Sequence, residues 1–336
     1  MALHYPRLDN ASGIWTMKEV TDAVKGGYWP VSGARGVFAG GQVPTNTNII
    51  DYITIAVLGD AADFGDLSGA RTSIENSASS FTRGTWSGGL EGPAAINTIE
   101  YTTIMTTGNA TDFGDLPGII RDASAFSSSV RAVQGGGVSP TNVINYWNIA
   151  SLGNSSDFGD LTVARYYMGA AASPTRGVWA GGETPNQNTM DYVTISTTGN
   201  AIDFGNLTGT KANPTGASSS TRGVFCGGST EPSAGYTDEI AYVTIASTGN
   251  AIDYGNLRTD NKASLTTSNS IRVVCCGGKP NDPAGNEVKY IDYFNIPTGG
   301  QAADFGDLTE VRSHGGAISN AHGGLNDGNQ GVVDTT

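Results

Sequence analysis

Histidine, the side chain that most often serves as a general base or binds a transition metal, is scarce in this chain of 336 residues. The three histidines are His4, His314 and His322, and no two of them have the spacing of a metal-binding pair. None of them stands at a position that recurs along the chain. We therefore expect solvated or glycine-flanked loop histidines, without a catalytic or metal-binding role.

Cysteine is equally rare, and the three copies are Cys226, Cys275 and Cys276. An odd and small number does not suit a disulfide framework. Cys226 and Cys276 occupy equivalent places in successive repeats, where other repeats have alanine or serine. This pattern predicts small buried side chains instead of a reactive thiol pair. The chain also lacks a Gly-x-Ser-x-Gly elbow, a phosphate-binding loop and a His-Glu-x-x-His helix, so we predict no catalytic residue, cofactor site or metal ligand.

Carboxylates are the one chemically capable group that recurs. Pairs of aspartates three residues apart occur in the motif Asp-Phe-Gly-Asp-Leu, at Asp63/Asp66, Asp112/Asp115, Asp157/Asp160 and Asp304/Asp307. Oxygen ligands at this spacing suit calcium. In two further copies of the motif, Asn206 and Asn256 replace the second aspartate. Because a residue present in every repeat usually serves the repeat itself, we expect these aspartates to cap turn amides or pair with the basic residue that follows, and calcium binding stays the alternative.

The motif belongs to a repeat that occurs six times at intervals of 45 to 51 residues. Each copy contains a segment like Arg-Gly-Val-Phe-Ala-Gly-Gly, then one like Asp-Tyr-Ile-Thr-Ile, then a glycine four residues before the aspartate motif. The leading arginines are Arg35, Arg83, Arg131, Arg176, Arg222 and Arg272. The basic residues after the motif are Arg71, Arg121, Arg165, Lys211, Lys262 and Arg312. We expect the leading arginines to form ion pairs with the motif aspartates between repeats.

Each repeat has the sequence of about four short strands. The β-branched and aromatic runs are typical of strands, and Gly-Asn between two of them predicts a tight turn with positive φ at the glycine. A small, Ser/Ala-rich stretch, such as 77–80 or 217–220, predicts a strand in a crowded place near an axis. Radial repetition of four-stranded sheets with paired glycines predicts an all-β fold, a six-bladed kelch-like β-propeller.

The two ends of the chain differ from the repeats. Residues 313–320 match the small-residue strand and are followed by no further repeat, so we expect them to join the first blade and close the ring. Thr16 and Glu19 form a capping box that predicts a short helix before Gly26. We therefore predict an N-terminal anchor segment at 1–30, a propeller at 31–323 and a polar tail at 324–336.

Composition limits the partners. Lysine plus arginine number 18 and aspartate plus glutamate 31, which gives a net charge of −13. A chain with this negative charge is not expected to have the basic surface that binds nucleic acid or anionic membranes. No apolar run is long enough to span a bilayer, and the first residues do not predict a cleavable secretory signal.

The repeat, with its Arg-Gly-Val-Phe-Ala-Gly-Gly and Thr-Gly-Asn-Ala-x-Asp-Phe-Gly-Asp-Leu segments, resembles the kelch-like repeats in virion proteins of tailed phages, especially those that infect cyanobacteria. The resemblance covers about residues 31–320, and the opening from Ala11 to Pro30 is similar to a segment of phage tail and fibre proteins. It implies a virion component that is assembled in the host cytoplasm. No functional residue is carried over, because the matched positions belong to the scaffold.

Together these features predict a non-enzymatic phage virion structural protein, tail-associated or part of a fibre, used for host-surface adhesion or assembly contacts. Its expected partners are other virion proteins, reached through the N-terminal segment, a host-surface glycan and further copies of itself. Two alternatives stay open. One is a capsid or neck decoration protein. The other is a carbohydrate-active propeller that uses loop acids, of which the candidates are Glu91, Glu183, Glu231, Asp238 and Glu239.

Overall fold

The computed structural model describes residues 34–75, 77–230, 235–281 and 286–325, and all regular structure in these ranges is β-strand. The predicted all-β class is therefore confirmed. Most of the strands form six four-stranded antiparallel sheets, one for each repeat. The predicted helix after Thr16, and with it the whole N-terminal anchor segment, lies outside the described residues, as does the predicted tail from residue 326 onward. None of the described residues forms a helix of the length and hydrophobicity that a membrane crossing requires.

The strands of each sheet are called first to fourth in the order in which they are hydrogen-bonded. Sheet 1 contains Gly316–Ser319, Arg35–Ala39, Ile49–Thr54 and Ala62–Asp66; sheet 2 contains Ser77–Ser79, Arg83–Ser87, Thr98–Thr103 and Thr111–Asp115; sheet 3 contains Ser124–Ser127, Arg131–Gly135, Val143–Asn148 and Ser156–Asp160; sheet 4 contains Gly169–Ala172, Arg176–Ala180, Gln187–Thr194 and Ile202–Lys211; sheet 5 contains Thr215–Ser218, Arg222–Cys226, Glu239–Thr244 and Ile252–Asn256; sheet 6 contains Leu265–Ser268, Arg272–Cys276, Tyr290–Asn295 and Ala303–Asp307.

Two-residue strands lie between these longer ones, at Gln42–Val43, Thr45–Asn46, Arg71–Thr72, Leu90–Glu91, Ala94–Ala95, Ser229–Thr230, Gly235–Tyr236, Asn261–Lys262 and Lys279–Pro280. Several of them pair the loop after a second strand with the segment that enters the first strand of the same sheet, as Leu90–Glu91 does with Arg71–Thr72. The loops after the second strands therefore lie at the same end of the sheets as the entries to the first strands.

The end of the chain completes the sheet at its beginning. Gly316–Ser319 pairs antiparallel with Arg35–Ala39, so that Ile318 lies opposite Val37. Both side chains are buried. The prediction that residues 313–320 join the first sheet is confirmed.

The core consists of six apolar clusters, and each of them lies between two consecutive sheets. Five clusters join sheets 1 and 2, 2 and 3, 3 and 4, 4 and 5, and 5 and 6. The sixth joins sheet 6 to sheet 1, with Phe38 and Ile55 packed among residues of sheet 6 such as Phe305. Because each sheet has a neighbour on both faces, its second strand reads as a continuous apolar run such as Gly-Val-Phe-Ala.

The glycines of the aspartate motif and of the preceding turn are required where consecutive sheets meet. In sheet 2, Gly108 and Ala110 donate backbone hydrogen bonds to Phe64 and Asp66 of sheet 1, at 2.7 and 2.8 Å. Gly65 has a φ of 145°, and a Cβ there would lie 2.6 Å from the carbonyl of Gly108. The same link joins all six sheets, including Gly59 of sheet 1 to Phe305 of sheet 6 at 2.9 Å. Positive φ at the turn glycines is confirmed.

The leading arginines do not form the predicted ion pairs with the motif aspartates. Each guanidinium lies over a tyrosine ring of its own sheet, at 4.3 Å for Arg35 on Tyr52. Each also donates to a carbonyl oxygen at the end of the third strand of the next sheet, as Arg35 does to Ile104 at 2.9 Å. Arg272 of sheet 6 likewise donates to Ile55 of sheet 1 at 2.9 Å. The prediction was wrong because each arginine lies next to a carbonyl oxygen at the end of a strand in the neighbouring sheet. The spacing of residues in the sequence does not show that contact.

The basic residues after the motif also have partners other than those predicted. Arg165 and Asp191 form an ion pair of 2.9 Å, Arg312 and Asp51 one of 2.7 Å, and all four side chains are fully buried. The acid in these pairs precedes the repeated tyrosine of the third strand. The first aspartate of each motif is exposed instead, and one of these, Asp304, contacts Arg258, which is not one of the predicted basic residues.

Candidate functional site

Six residues in left-handed conformation surround one end of the first strands. They occupy one equivalent place per repeat and have φ between 54° and 59°; they are Ser73, Asp122, Tyr167, Asn213, Ala263 and His314. Each amide donates to the carbonyl of the equivalent residue in the preceding sheet, at 2.8 to 3.4 Å, and His314 of sheet 1 donates to Ala263 of sheet 6. We call this circle of backbone hydrogen bonds the entry ring. The backbone is the same six times, whereas the side chain differs each time.

The first strands behind the entry ring enclose a cavity. This central cavity has a volume of about 550 Å³ including its open mouth, and all six sheets contribute to its wall. The wall consists mainly of Ser, Ala, Gly and Thr, as the crowded position of these strands predicts. Serine hydroxyls join neighbouring strands, as Ser77 does by donating to the Ala317 carbonyl at 2.8 Å. A deeper space of about 400 Å³ continues between the same strands as far as His322.

Two carboxylates stand at the mouth of the central cavity. Glu75 lines it, and both of its carboxylate oxygens are shielded from solvent without a hydrogen-bond partner among the described residues. Asp122 is fully buried, with the Arg121 guanidinium at 3.3 Å. Burial, reinforced by the charge of Asp122, raises the pKa of Glu75 well above its ordinary range. Burial also raises the pKa of Asp122, against the opposing effects of Ser73, Arg121 and Tyr167.

An aromatic and a basic ring lie beside these carboxylates. The Tyr167 and His314 rings are 5.9 Å apart between centroids, and both residues belong to the entry ring. Burial, with the charges of Lys262 and Lys279, lowers the pKa of His314 to about 4. Burial and the charges of Asp122 and Glu75 raise the pKa of Tyr167. At neutral pH the mouth therefore has neutral rings next to acidic groups.

The Glu75→Gln variant should be more stable than the original protein at neutral pH. The folded state favours neutral Glu75, so this group contributes stability below pH 4.5 that is lost as the pH rises through the raised pKa. Glutamine is neutral throughout. We expect a free energy of unfolding higher by on the order of 1–3 kcal/mol at about pH 8 and unchanged at about pH 4, measured by urea unfolding. The exposed Asp63→Asn is the charge-matched control, and equal effects of Glu75→Gln at both pH values would contradict the expectation.

The far end of the space between the first strands is filled by the residues that follow Ser319. His322 Nε2 lies 3.0 Å from the Ser79 carbonyl, and His322 Nδ1 accepts the Gly324 amide at 3.1 Å. Gly323 donates to the Ser218 carbonyl at 2.9 Å. These contacts require a neutral imidazole with its proton on Nε2. Burial accordingly lowers the pKa of His322 to about 4.

Acid should remove the stability that His322 contributes. Because its pKa falls from 6.5 to about 4 on folding, this stability is complete above pH 6.5 and is lost as the pH falls to about 4. The shift corresponds to about 3 kcal/mol. Urea unfolding from pH 8 to 4 should show His322→Gln less stable at about pH 8, with the difference shrinking and then reversing below about pH 5. The carboxylates titrate in both proteins and cancel, and a pH-independent difference would contradict the assignment.

The loops that vary between repeats surround the entry ring. They are 42–48, 90–96, 183–188, 229–239 and 279–289, each between a second and a third strand, and residues 231–234 and 282–285 among them are outside the described part. Loop residues of neighbouring sheets also touch, as where Asn46 donates to the Leu90 carbonyl at 2.8 Å. We call this side of the molecule the loop face.

The residues singled out in the sequence are dispersed. The three cysteines are buried as predicted, and a hydrogen bond with Cys275, together with burial, raises the pKa of Cys226. His314 and His322 are half-buried, lie in loops and are each followed by a glycine, in keeping with the predicted glycine-flanked loop histidines, and His4 is outside the described residues. No group of three or more His, Cys, Asp or Glu side chains is arranged to hold a metal ion in the part of the chain that the structure describes. Among the loop acids, Glu239 binds Lys211 at 2.9 Å, whereas Glu231 is not described.

Glu75 and Asp122 were missed in the sequence, because each occurs in one repeat and neither belongs to a motif. The signal that could have found Asp122 is the single place per repeat where serine, aspartate, tyrosine, asparagine, alanine and histidine alternate, and Glu75 lies two residues after that place in its own repeat. No protein-family model and no curated protein matches the chain.

Proposed function

We propose that the chain is a six-bladed β-propeller that acts as a non-enzymatic binding module of a phage virion, in the tail or a fibre. Its loop face would contact a host-surface glycan or a neighbouring virion protein. The observation that carries the proposal is the position of the repeated residues in the structure. The landmark arginines and glycines lie in links between consecutive sheets, which leaves the variable residues to the loop face and the entry ring.

The links favour a ring over an open row of sheets. The arginine–carbonyl bond, the turn-glycine bond, the entry ring and the apolar clusters each occur between sheet 6 and sheet 1 as well as between the other pairs. In the proposed ring, each sheet is a blade and the first strands surround the axis. Radial closure of this kind protects sheet edges and gives a rigid frame for loops.

Place in the virion rests on the resemblance to phage repeats, and immunogold electron microscopy of purified particles tests it. Label on the tail or its fibres is expected. Label over the capsid would favour the decoration alternative, with the N-terminal segment as anchor. Absence of label from both intact and detergent-opened particles would contradict the virion proposal.

A carbohydrate-active propeller is the second candidate, and the buried, mutually interacting Glu75 and Asp122 are the observation that favours it. Raised carboxyl pKa values in a cavity are typical of general acids. Incubation of the protein with host envelope separates the two functions. Bound glycan without release of soluble sugar is expected for a binding module, whereas sustained release that Glu75→Gln abolishes would establish the enzyme.

A further inference from the structure

The wall of the central cavity offers hydrogen-bond acceptors. The Ser124 hydroxyl donates to the Met168 carbonyl, and the Ser77 hydroxyl donates to that of Ala317 at 2.8 Å. Thr215 shares a hydrogen bond of 2.8 Å with Thr266. Because these hydroxyl protons are engaged with neighbouring strands, the lone pairs are what such groups can offer a ligand.

Glu75 adds to this wall a carboxyl group without a partner among the described residues, and a bound cation would favour its charged form. Both of its oxygens are buried and lack a partner among the described residues, a costly arrangement for a group that could be solvated. The Asp122 side chain, with no exposed surface, lies nearby and has the Arg121 guanidinium at 3.3 Å. A cation that brings several donors would satisfy the two Glu75 oxygens, which an anion without donors could not do.

The size and lining of the central cavity limit the kind of cation that it could bind. Within the described residues, no third metal-ligating side chain joins the two carboxylates, which disfavours a bare divalent ion. The space of about 550 Å³ includes the open mouth and is lined mainly by small side chains. Tyr167 and Met168 supply an apolar part of the wall, and the hydroxyl groups supply acceptors for ligand hydroxyls. An ammonium group on a hydroxylated ring fits these features better than one on an apolar stem such as a lysine side chain.

We propose that the central cavity binds an amino sugar, with its free ammonium group on the Glu75 carboxylate, its ring beside Tyr167 and its hydroxyls on the serine and threonine wall. The far end is occupied by residues 320–325, so the ligand enters from the loop face. This inference deepens the proposed function, because it names a ligand class for the loop face on which that function rests.

Ligand-observed NMR titrations of the full chain with glucosamine, N-acetylglucosamine and glucose test the proposal. Glucosamine alone has the free amine, and it should bind roughly tenfold or more tightly than the other two. Glu75→Gln should lose this preference, whereas Asp63→Asn, which removes the same charge from an exposed strand, should keep it. Equal binding of the three sugars, or no binding of glucosamine, would overturn the proposal even if Glu75→Gln did not fold.

Two further comparisons distinguish the amino-sugar proposal from other ligands and from the proposed function. Tighter binding of a lysine amide than of glucosamine would overturn the amino-sugar assignment in favour of a peptide. Binding of neutral host glycans without glucosamine would overturn this inference and leave the proposed function standing. Glucosamine binding that persists when no host glycan or virion protein binds would support the site and contradict the proposed function.

Discussion

Arg165→Met should lower the free energy of unfolding by about 3–5 kcal/mol, because it leaves Asp191 as a buried charge without its partner. The two side chains have no exposed surface, and Nη1 of Arg165 lies 2.9 Å from Oδ2 of Asp191. Methionine fills a similar volume, so the loss would come from the uncompensated carboxylate more than from packing. Urea unfolding followed by tryptophan fluorescence measures the change.

The third repeat supplies the matched control. Arg121 is the equivalent basic residue, but the place of the third-strand acid is taken by Asn145, and Arg121 is about one-third exposed beside Asp122. Arg121→Met should therefore cost less than Arg165→Met, about 1–2 kcal/mol, because a partly exposed guanidinium stabilises Asp122 less than a fully buried one stabilises Asp191. Adding Asp191→Asn to Arg165→Met removes the uncompensated charge by placing asparagine where the third repeat has Asn145, and it should restore more than half of the loss. Equal costs for Arg121→Met and Arg165→Met would show that the buried pair is not what stabilises this segment.

These pairs show what the sequence could and could not predict. The period, the β-branched runs and the small-residue strands led to the all-β class and to the pairing of residues 313–320 with Arg35–Ala39, since both depend on local pattern. The partner of Arg165 depends on how a connecting segment folds back onto its own third strand. That geometry has no fixed spacing in the chain, so the motif aspartates before Arg165, Asp157 and Asp160, were the wrong choice.

The side chains at the mouth of the central cavity are a second feature that the sequence did not predict. The entry ring is one backbone conformation repeated six times, and the repeat pattern predicts crowding there. Which side chains meet at its mouth depends on residues from distant repeats, such as Glu75 and His314. The sequence prediction rested on what the repeats share, whereas Asp122 lies at the place where they differ and Glu75 lies two residues after it.

Gly306→Ala should destabilise the protein by about 3 kcal/mol or more if sheet 6 packs on sheet 1 as the proposed ring requires. Gly306 has a φ of 153°, and a Cβ there would lie 2.4 Å from the Gly59 carbonyl oxygen. Backbone on both sides leaves no side chain to move aside, so the cost combines φ strain with the opening of the link. Thermal and urea unfolding measure it.

Two matched variants isolate the contribution of ring closure. Gly159 has nearly the same φ, 149°, and a Cβ there would lie 2.5 Å from Gly199 of the next sheet. Gly159→Ala therefore disturbs a link between two sheets that are consecutive in the chain. Gly59→Ala has a φ of 151° and no atom within 4 Å of the added Cβ, so it reports φ strain alone. In a closed ring, Gly306→Ala costs as much as Gly159→Ala; in an open row of sheets, it costs only as much as Gly59→Ala. The second result would overturn the ring, because the link between the last and first sheets would then contribute nothing to stability.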